Sequence, residues 1–277
     1  MEAGEIARRA KKNLRREYKN DSSIVTQADR EIEALCTERL EDSDRGVHII
    51  GEETIGQKDE AYVEAALSQE AYVVDPIDGT APFAHYLPNW GISIGFLREG
   101  RLVDGAIYLP EYGEIVISCD DGDRAVVEEG RLEDGEWTWR ELPPAPRPIG
   151  SGGLVAVTQA VAKRGRCDLP NSVMALGAAV VPLVGLLQGR FVAYIGSVKL
   201  WDAAGALPLI ARHGLAMSLH VGGERRRVTQ TVDGSIFHLD ADDPRRWQFR
   251  GSLLICRPED ETLMAGALIE DDASAGA

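Results

Sequence analysis

The chain has 277 residues, 44% of them hydrophobic, and carries 30 basic against 45 acidic side chains, a formal net charge of −15. Such a length can bury a substantial core, in one large domain or in two packed halves. The acidic balance argues against a nucleic-acid polymer as partner, because that affinity comes from neutralising phosphates. No apolar run approaches the roughly 20 residues of a bilayer span, and the charged N-terminus lacks a signal-peptide core, so we expect a cytoplasmic protein without membrane contact. The four cysteines form no CxxC pair and are expected to be buried, reduced thiols.

Two helices are predicted at the start of the chain. The first is expected to extend to about Tyr18, because apolar residues recur there with a spacing of four. These apolar residues are Ile6, Ala10 and Leu14. After a polar break, KNDSS, the sequence TQAD opens a second helix, in which Thr26 and Asp29 have the spacing of a capping box.

A series of strands follows these helices. VHIIGEET predicts a strand over 47–50 that ends in a turn exposing Glu52 and Glu53, and AYVVD predicts a second strand with the same kind of ending. GISIGFL, RLVDGAIYL, GEIVISC and RAVVEE indicate an antiparallel meander. Residues 120–150 are acidic and then proline-rich, so we expect them to cross from an N-terminal half, 1–148, to a C-terminal half, 149–277.

The second half is predicted to alternate strands and helices. Strands are expected at GLVAVT and RFVAYIG, and a helix rich in small and apolar residues over about 174–188. KLWDAAGALPLIARHG predicts a further helix that ends at Gly214. Pro208 lies within this helix, removes one backbone hydrogen bond and crowds the carbonyl of Ala204, which predicts a kink or an early break. The terminal EDDASAGA is predicted to be a loose tail.

Acidic residues stand where predicted elements begin or end. Asp75 and Asp78 are three apart around a proline, Glu52 ends another strand, and Asp202 lies at the start of a helix. Hard divalent cations such as Mg²⁺ take oxygen ligands, so carboxylates that converge from separate elements suit them. Asp75 and Asp78 can both face one such site, and the carbonyl of Ile77 can supply a further ligand. The pattern therefore predicts a metal centre.

A phosphate site is predicted beside these acids. Gly79 and Thr80 follow Asp78 directly, and a glycine next to a hydroxyl residue lets backbone N–H groups approach a phosphate closely. Asp202 would sit at the start of its helix, where the positive end of the dipole also favours anions.

Each of these features also has a purely structural interpretation. An Asp-Pro turn is most often only a turn, and Glu52 and Glu53 can form a solvated turn. A lone aspartate at a helix start, such as Asp202, commonly caps the helix. The capping box alone accounts for Asp29.

Three motifs, IIGEET, VVDPIDGTAPF and KLWDAAGA, occur in this order, with AGEI and IVTQAD upstream of them. In order and separation they resemble the inositol monophosphatase family of Mg²⁺-dependent, lithium-sensitive phosphatases, up to about Gly214. The resemblance implies an α+β fold, a five-layer αβαβα sandwich of the inositol monophosphatase and fructose-1,6-bisphosphatase type, usually dimeric, with metals between the halves. It also implies two or three Mg²⁺ ions, possible use of Mn²⁺, and inhibition by Li⁺ or Ca²⁺.

The resemblance also implies a role for each acidic residue of the motifs. Glu52 would be a metal ligand, and Asp75 would bridge two metals. Asp78 and Asp202 would hold the second metal, and the carbonyl of Ile77 would join the first.

The remaining motif residues would serve catalysis. By resemblance, Thr80, with Asp29 behind it, would orient the attacking water, with Glu52 counted among the catalytic residues. The amides of Gly79 and Thr80 would touch the phosphate, and Lys19 matches a family lysine near the active-site loop. Water would then attack phosphorus in line, with positioning and charge stabilisation supplying most of the acceleration.

The sequence departs from the family at positions that contact the substrate. Members that hydrolyse inositol phosphates usually read GTTNF, whereas this chain reads GTAPF, with Ala81 and Pro82 in place of a hydroxyl and an amide. Ile195 stands where those members carry a glutamate, and Ala175 where they carry a serine. Loss of such polar partners weakens discrimination of a polyol. We therefore hypothesise that inositol phosphate is not the best substrate of this Mg²⁺-dependent phosphomonoesterase.

Other functions fit the same motifs. Fructose-1,6-bisphosphatase and 3′(2′),5′-bisphosphate nucleotidase activities belong to the same fold, although we identify no base-stacking or basic pocket for a nucleotide. A catalytically silent member would bind a phosphorylated ligand, and a structural domain would bind Mg²⁺ or Ca²⁺ without turnover. Retention of every metal carboxylate together with Thr80 favours an active enzyme.

Overall fold

The computed structural model describes residues 1–14, 16–18, 24–121, 124–150, 152–221 and 224–270. Its helices are α1 (Glu2–Ala10), α2 (Gln27–Leu40), α3 (Glu60–Ser68), α4 (Thr80–Ala84), α5 (Gln159–Arg164), α6 (Val180–Leu187), α7 (Leu200–Ala204), α8 (Leu207–Arg212) and α9 (Glu261–Ala267). Its strands are β1 (Arg16–Tyr18), β2 (Ile24–Thr26), β3 (Val47–Gly51), β4 (Glu70–Asp78), β5 (Gly91–Arg98), β6 (Arg101–Leu109), β7 (Glu114–Asp121), β8 (Arg124–Glu133), β9 (Glu136–Glu141), β10 (Leu154–Val157), β11 (Gly165–Cys167), β12 (Val173–Met174), β13 (Phe191–Gly196), β14 (Ala216–Val221), β15 (Glu224–Arg227), β16 (Ser252–Cys256) and β17 (Leu268–Glu270).

The larger sheet has seven strands in sequence order from β3 to β9. β3 and β4 are parallel, as expected for strands joined through a helix, and every later pair is antiparallel. The predicted meander is confirmed, and so are the strands predicted at VHII and AYVVD.

The smaller sheet has six strands in the order β12-β10-β13-β16-β14-β15. β10 is parallel to both of its neighbours, whereas β13, β16, β14 and β15 pair antiparallel. The strands predicted at GLVAVT and RFVAYIG are β10 and β13, which are neighbours in this sheet.

Helices and sheets alternate in five layers. On one face of the larger sheet, Ile32 of α2 packs on Val74 of β4 in a core shared with α1. Between the sheets, Leu183 of α6 and Leu209 of α8 belong to the largest core cluster. Met264 of α9 helps to cover the outer face of the smaller sheet. The αβαβα arrangement predicted from the family resemblance is confirmed.

The first helix is shorter than predicted. It ends at Ala10, a single 3₁₀ turn follows over Lys11–Asn13, and Arg16–Tyr18 is the strand β1, paired antiparallel with β2. Helix propensity is a weak preference, and pairing with β2 satisfies the backbone of this charged segment instead. The second helix begins where predicted, with the Thr26 and Asp29 capping box formed.

The structure narrows one prediction for the middle of the chain and corrects another. The segment 120–150 is mostly sheet, since β8 and β9 extend the meander to Glu141; of its described residues, only the turn at 134–135 and the stretch 142–150 lie outside strands. The helix predicted over 174–188 begins at Val180. Gly177 before it has φ +80°, outside the helical region, and Met174 belongs to β12, which pairs with β10.

The predicted break at Pro208 is confirmed. KLWDAAGALPLIARHG forms two short helices, α7 and α8, and Pro208 is the second residue of α8, where a missing N–H costs little. The chain between them approaches the larger sheet closely. A Cβ built on Gly105 of β6 would lie 2.1 Å from the carbonyl oxygen of Gly205, so only glycine allows this contact.

The cysteines are free, as predicted, but only Cys36 and Cys256 are buried, while Cys119 and Cys167 are partly exposed. Among the described residues, no helix is both long and apolar enough to cross a membrane. The predicted tail, EDDASAGA, lies outside the described residues apart from Glu270 in β17.

Candidate metal-dependent active site

Three of the predicted acidic residues come together between the sheets. Asp75 and Asp78 lie on β4 and Asp202 lies on α7, and one carboxylate oxygen of each falls within 4.8 Å of the other two. Asp75 and Asp78 are buried, and Asp202 is partly exposed. Within the described part of the chain this is the one group of three such side chains with metal-ligand spacing.

A β-bulge places Asp75 and Asp78 on one side of the sheet. Asp75 pairs with Ser93 and Asp78 pairs with Gly91, so three residue steps along β4 match only two along β5. In a regular strand, residues three apart point to opposite faces, and one extra residue restores the same face. Pro76 lies inside this bulge, where its missing N–H breaks no ladder hydrogen bond.

Helix α7 is tied directly to the strand beside Asp75. The Ser93 hydroxyl donates to the carbonyl of Trp201 at 3.0 Å and accepts from the amide of Gly205 at 3.1 Å. Asp202 itself accepts a hydrogen bond from the Lys199 amide at 2.8 Å, which caps α7 as its sequence position predicted. Ser93 was not predicted from the sequence, yet it holds Asp202 opposite Asp75.

A third element supports the cluster from the second half of the chain. The amide of Val180, the first residue of α6, donates to Asp78 Oδ2 at 2.5 Å. Together with a backbone hydrogen bond from Ala179, this contact orients the Asp78 carboxylate toward the cluster. The Val180 amide is also a site group that the sequence motifs did not reveal.

The carboxylates destabilise one another in the absence of a cation. Burial is the main cause that raises the pKa of Asp75, and the negative charges of Glu52, Asp78 and Asp202 raise it further. The pKa of Asp78 is also raised, first by burial and then by the charge of Asp202. Buried like charges of this kind favour either protonation or a bound cation. An all-oxygen donor set fits a hard divalent ion such as Mg²⁺.

Glu52 lies beside this cluster and not within the group of three. It is partly exposed on the turn after β3, and its amide donates to the Val74 carbonyl at 3.2 Å, next to Asp75. Its charge acts on both Asp75 and Asp78. Glu52 is therefore close enough to contribute negative potential to the site.

Thr80 and Asp29 are brought together beyond the end of β4. The Thr80 hydroxyl lies 3.1 Å from the Ile77 carbonyl and 3.4 Å from Asp29 Oδ1. Asp29 Oδ2 accepts from the Thr26 amide at 2.8 Å and the Thr26 hydroxyl at 2.6 Å. One oxygen of Asp29 thus caps α2 while the other faces Thr80. Burial raises the pKa of Asp29 to about 6, although the bonds from Thr26 oppose this shift.

Gly79 allows the chain to turn between β4 and α4 while its backbone packs closely against neighbouring residues. Its φ is +89°, and a Cβ there would lie 2.7 Å from the Ala178 side chain and 2.8 Å from the Asn89 carbonyl.

Gly79→Ala should cost about 1–2 kcal/mol for the backbone conformation and about 1–3 kcal/mol more for overpacking. Gly135 is a matched control, because its φ is +88° but no atom lies within 4 Å of its Cβ position. Urea unfolding should show a larger loss of unfolding free energy for Gly79→Ala than for Gly135→Ala. Equal losses would contradict the close approach of Gly79 to Ala178 and Asn89.

The positions that depart from the family offer no polar group to a polyol. Ala81 is exposed, and Pro82 is buried against Gly177. Ile195 is fully buried on β13 in an apolar cluster, against which Ala175 packs. Lys19 lies outside the described residues.

Comparison with known proteins agrees with this geometry. The sequence matches the inositol monophosphatase family over residues 1–240. An inositol-1-monophosphatase of Mesorhizobium japonicum is 29% identical over an alignment of 219 residues that covers 76% of this chain and 78% of that protein. The crystal structure of the extragenic suppressor protein suhB of Bartonella henselae aligns with a TM-score of 0.69 and 20% identity, covering 96% of this chain and 94% of that one. An IMPase/NADP phosphatase in complex with Mg²⁺ and phosphate aligns with a TM-score of 0.70 and 16% identity, covering 99% of this chain and 92% of that one.

The layered α+β fold, the carboxylate cluster between the sheets and the match to the family model together define a metal-dependent phosphoric monoester hydrolase. The chain belongs to the inositol monophosphatase family. The family, the fold class and the enzyme class predicted from the motifs are confirmed.

Proposed function

We propose that this enzyme hydrolyses a small phosphorylated metabolite with Mg²⁺ at the site between its two sheets. The observation that carries the proposal is the convergence of Asp75, Asp78 and Asp202, whose carboxylate oxygens lie within 4.8 Å of one another. Glu52 and the carbonyl of Ile77 would complete the ligand set for two or three ions. Mg²⁺, when bound, supplies positive charge that polarises a phosphate ester and lowers the pKa of water.

The chain's own groups would position the reactants. The Thr80 hydroxyl can donate to Asp29 Oδ1 or to the Ile77 carbonyl, so its oxygen is free to accept a hydrogen bond from the attacking water. Asp29, with a pKa of about 6, is mostly ionised at neutral pH and can take up a proton through Thr80. The amides of Gly79 and Thr80 would bind the phosphate, together with the region around Asp202.

The catalytic unit would be formed by both halves of the chain, 1–148 and 149–277. Support comes from the Val180 amide, which bonds Asp78, and from Ser93, which bonds α7. We also propose a cytoplasmic homodimer that acts on small metabolites, without nucleic-acid or membrane partners. The free cysteines fit a reducing compartment. Use of Mn²⁺ and inhibition by Li⁺ or Ca²⁺ are further parts of this proposal.

For the substrate, we propose a phosphate ester other than an inositol phosphate. Ala81, Pro82, Ala175 and Ile195 supply no side-chain hydrogen bond for a ring of hydroxyl groups. Sugar phosphates, fructose 1,6-bisphosphate and nucleoside bisphosphates remain candidates. An NADP phosphatase among the structural neighbours shows that this fold can carry activity toward a nucleotide.

The test is release of inorganic phosphate from a panel of phosphomonoesters and bisphosphates, with and without Mg²⁺, for the wild type and Asp202→Asn. We expect Mg²⁺-dependent release that falls in the variant on the order of 10²-fold or more, because a ligand charge is lost. Inositol 1-phosphate should have a lower kcat/KM than the best substrate. If folded, Mg²⁺-binding wild type releases no phosphate from any compound, the protein is a binding member of the family and not a phosphatase.

A further inference from the structure

A buried hydroxyl group near the carboxylate cluster has no assigned role. Tyr194 lies on β13 and is 1% exposed, and its hydroxyl has no hydrogen-bond partner among the residues that the structure describes. Burying such a group without a partner costs stability, and phenylalanine would avoid that cost at nearly the same volume. A hydrogen-bond partner that binds in this layer of the protein would remove this cost.

Strand periodicity directs the Tyr194 ring toward the layer that contains the cluster. Its neighbours Ala193 and Ile195 pack in the outer core, beneath α5 and α9. Tyr194 belongs instead to the core between the sheets, together with Val180 of α6 and Trp201 of α7. Helix α6 holds Asp78 through the Val180 amide, and helix α7 contains Asp202 itself.

The charges around Tyr194 point to the same neighbours. Burial raises the pKa of Tyr194 well above its usual value, and the negative charges of Asp78 and Asp202 raise it further. The hydroxyl therefore stays protonated at neutral pH and remains a hydrogen-bond donor. The buried hydroxyls of Thr158 and Ser218 also lack partners in the described part of the chain, but Tyr194 stands out because both carboxylates act on it.

We propose that Tyr194 is a positioning residue of the metal site, whose hydroxyl donates a hydrogen bond to the oxygen atoms gathered beside Asp78 and Asp202 when Mg²⁺ is bound. This inference rests on the proposed function, because it needs the cluster to take up Mg²⁺. It adds to the site a hydrogen-bond donor from the smaller sheet, whereas the predicted site residues of the N-terminal half lie on or next to the larger sheet.

Calorimetric titration of Mg²⁺ into the intact, metal-free protein tests the proposal with Tyr194→Phe. Loss of one hydrogen bond should raise the Kd for Mg²⁺ about 3- to 10-fold. Tyr108→Phe is the control for loss of a buried tyrosine hydroxyl, because Tyr108 is the other buried tyrosine of the described cores and its hydroxyl bonds Arg8 of α1. Its Kd should stay within about 2-fold of the wild type.

Thermal unfolding supplies a second readout. In EDTA, Tyr194→Phe should melt at the same temperature as the wild type or higher, because it removes a donor without a partner. At a fixed Mg²⁺ concentration its gain in melting temperature should be smaller, because stabilisation by a ligand follows its affinity.

Two results would overturn the role of Tyr194 alone: an unchanged Kd for Mg²⁺ in Tyr194→Phe, or a lower melting temperature in EDTA, which would reveal a partner within the chain. Failure of the proposed function looks different. If the wild type binds Mg²⁺ but releases no phosphate, the proposed hydrolysis fails while the role of Tyr194 in Mg²⁺ binding can still be tested. If the wild type binds no Mg²⁺, both the proposed function and this inference fail.

Discussion

Asp75→Asn should abolish Mg²⁺-dependent phosphate release and at the same time stabilise the metal-free protein. Asp75 is 1% exposed and lies in the field of Glu52, Asp78 and Asp202, so its charge is unfavourable until a cation is bound. Asparagine has nearly the same shape without that charge. We expect activity to fall on the order of 10³-fold, since Asp75 would be a Mg²⁺ ligand in the proposed function. In EDTA at pH 7 the melting temperature should rise by about 3 °C, because 1 kcal/mol corresponds to roughly 2–4 °C in a chain of this size.

The dependence on pH identifies the cause of this stabilisation. The folded-state pKa of Asp75 is raised, so the folded protein binds more protons than the unfolded chain. Stability of the metal-free wild type must then fall as pH rises from about 4, the unfolded pKa, through the folded pKa. Asp75→Asn should reduce this slope. Some slope between about pH 4 and pH 6 should remain, since Asp29 has a raised pKa of about 6.

The measurement is thermal unfolding across this pH range, in EDTA and with saturating Mg²⁺, alongside phosphate release. Asp168→Asn is a control, because that aspartate is exposed and forms a surface ion pair with Arg166; it should change neither quantity appreciably. A destabilised Asp75→Asn in EDTA would mean that the cluster is not under charge repulsion. Retained activity would remove Asp75 from the ligand set.

The sequence motifs locate the acids of the site, but the contacts that align them are long-range. Ser93 bonds a carbonyl 108 positions later, and the amide that orients Asp78 belongs to a residue 102 positions later. No local pattern encodes such pairs, because they arise from the packing of α6 and α7 between the sheets. Pro76 is a local signal that could have located the bulge, since a proline inside a strand needs an edge or an irregular ladder.

The helix predictions failed where tertiary pairing opposed local propensity. Residues 174–179 are rich in alanine and read as helix, yet Met174 pairs with β10 and Gly177 adopts a positive φ. This departure matters for the site. The shortened helix α6 begins at Val180, which places its first amide on Asp78 and lets Ala178 and Gly177 close over Gly79 and Pro82.

Thr80→Val should lower kcat on the order of 10²- to 10³-fold and leave Mg²⁺ affinity unchanged within about 2-fold. Valine keeps the branched shape of threonine but removes the hydroxyl that lies between Asp29 and the Ile77 carbonyl. The carboxylates of the cluster are untouched, so metal binding should persist. Thr80→Ser retains the hydroxyl and should keep most of the activity. Steady-state kinetics and Mg²⁺ titration of the two variants separate these effects.

The role of Asp29 can be read from the same experiment at several pH values. A proton acceptor must be ionised, so with saturating Mg²⁺ the wild-type kcat should rise with pH through the pKa of Asp29, which nearby Mg²⁺ would lower from the metal-free value of about 6. Thr80→Val should lose this dependence, because without the hydroxyl Asp29 has no route to the water. If Thr80→Val and the wild type share the same pH profile and differ little in kcat, Asp29 serves only as the cap of α2. The proton must then leave by another path, and catalysis would depend on the metal cluster alone.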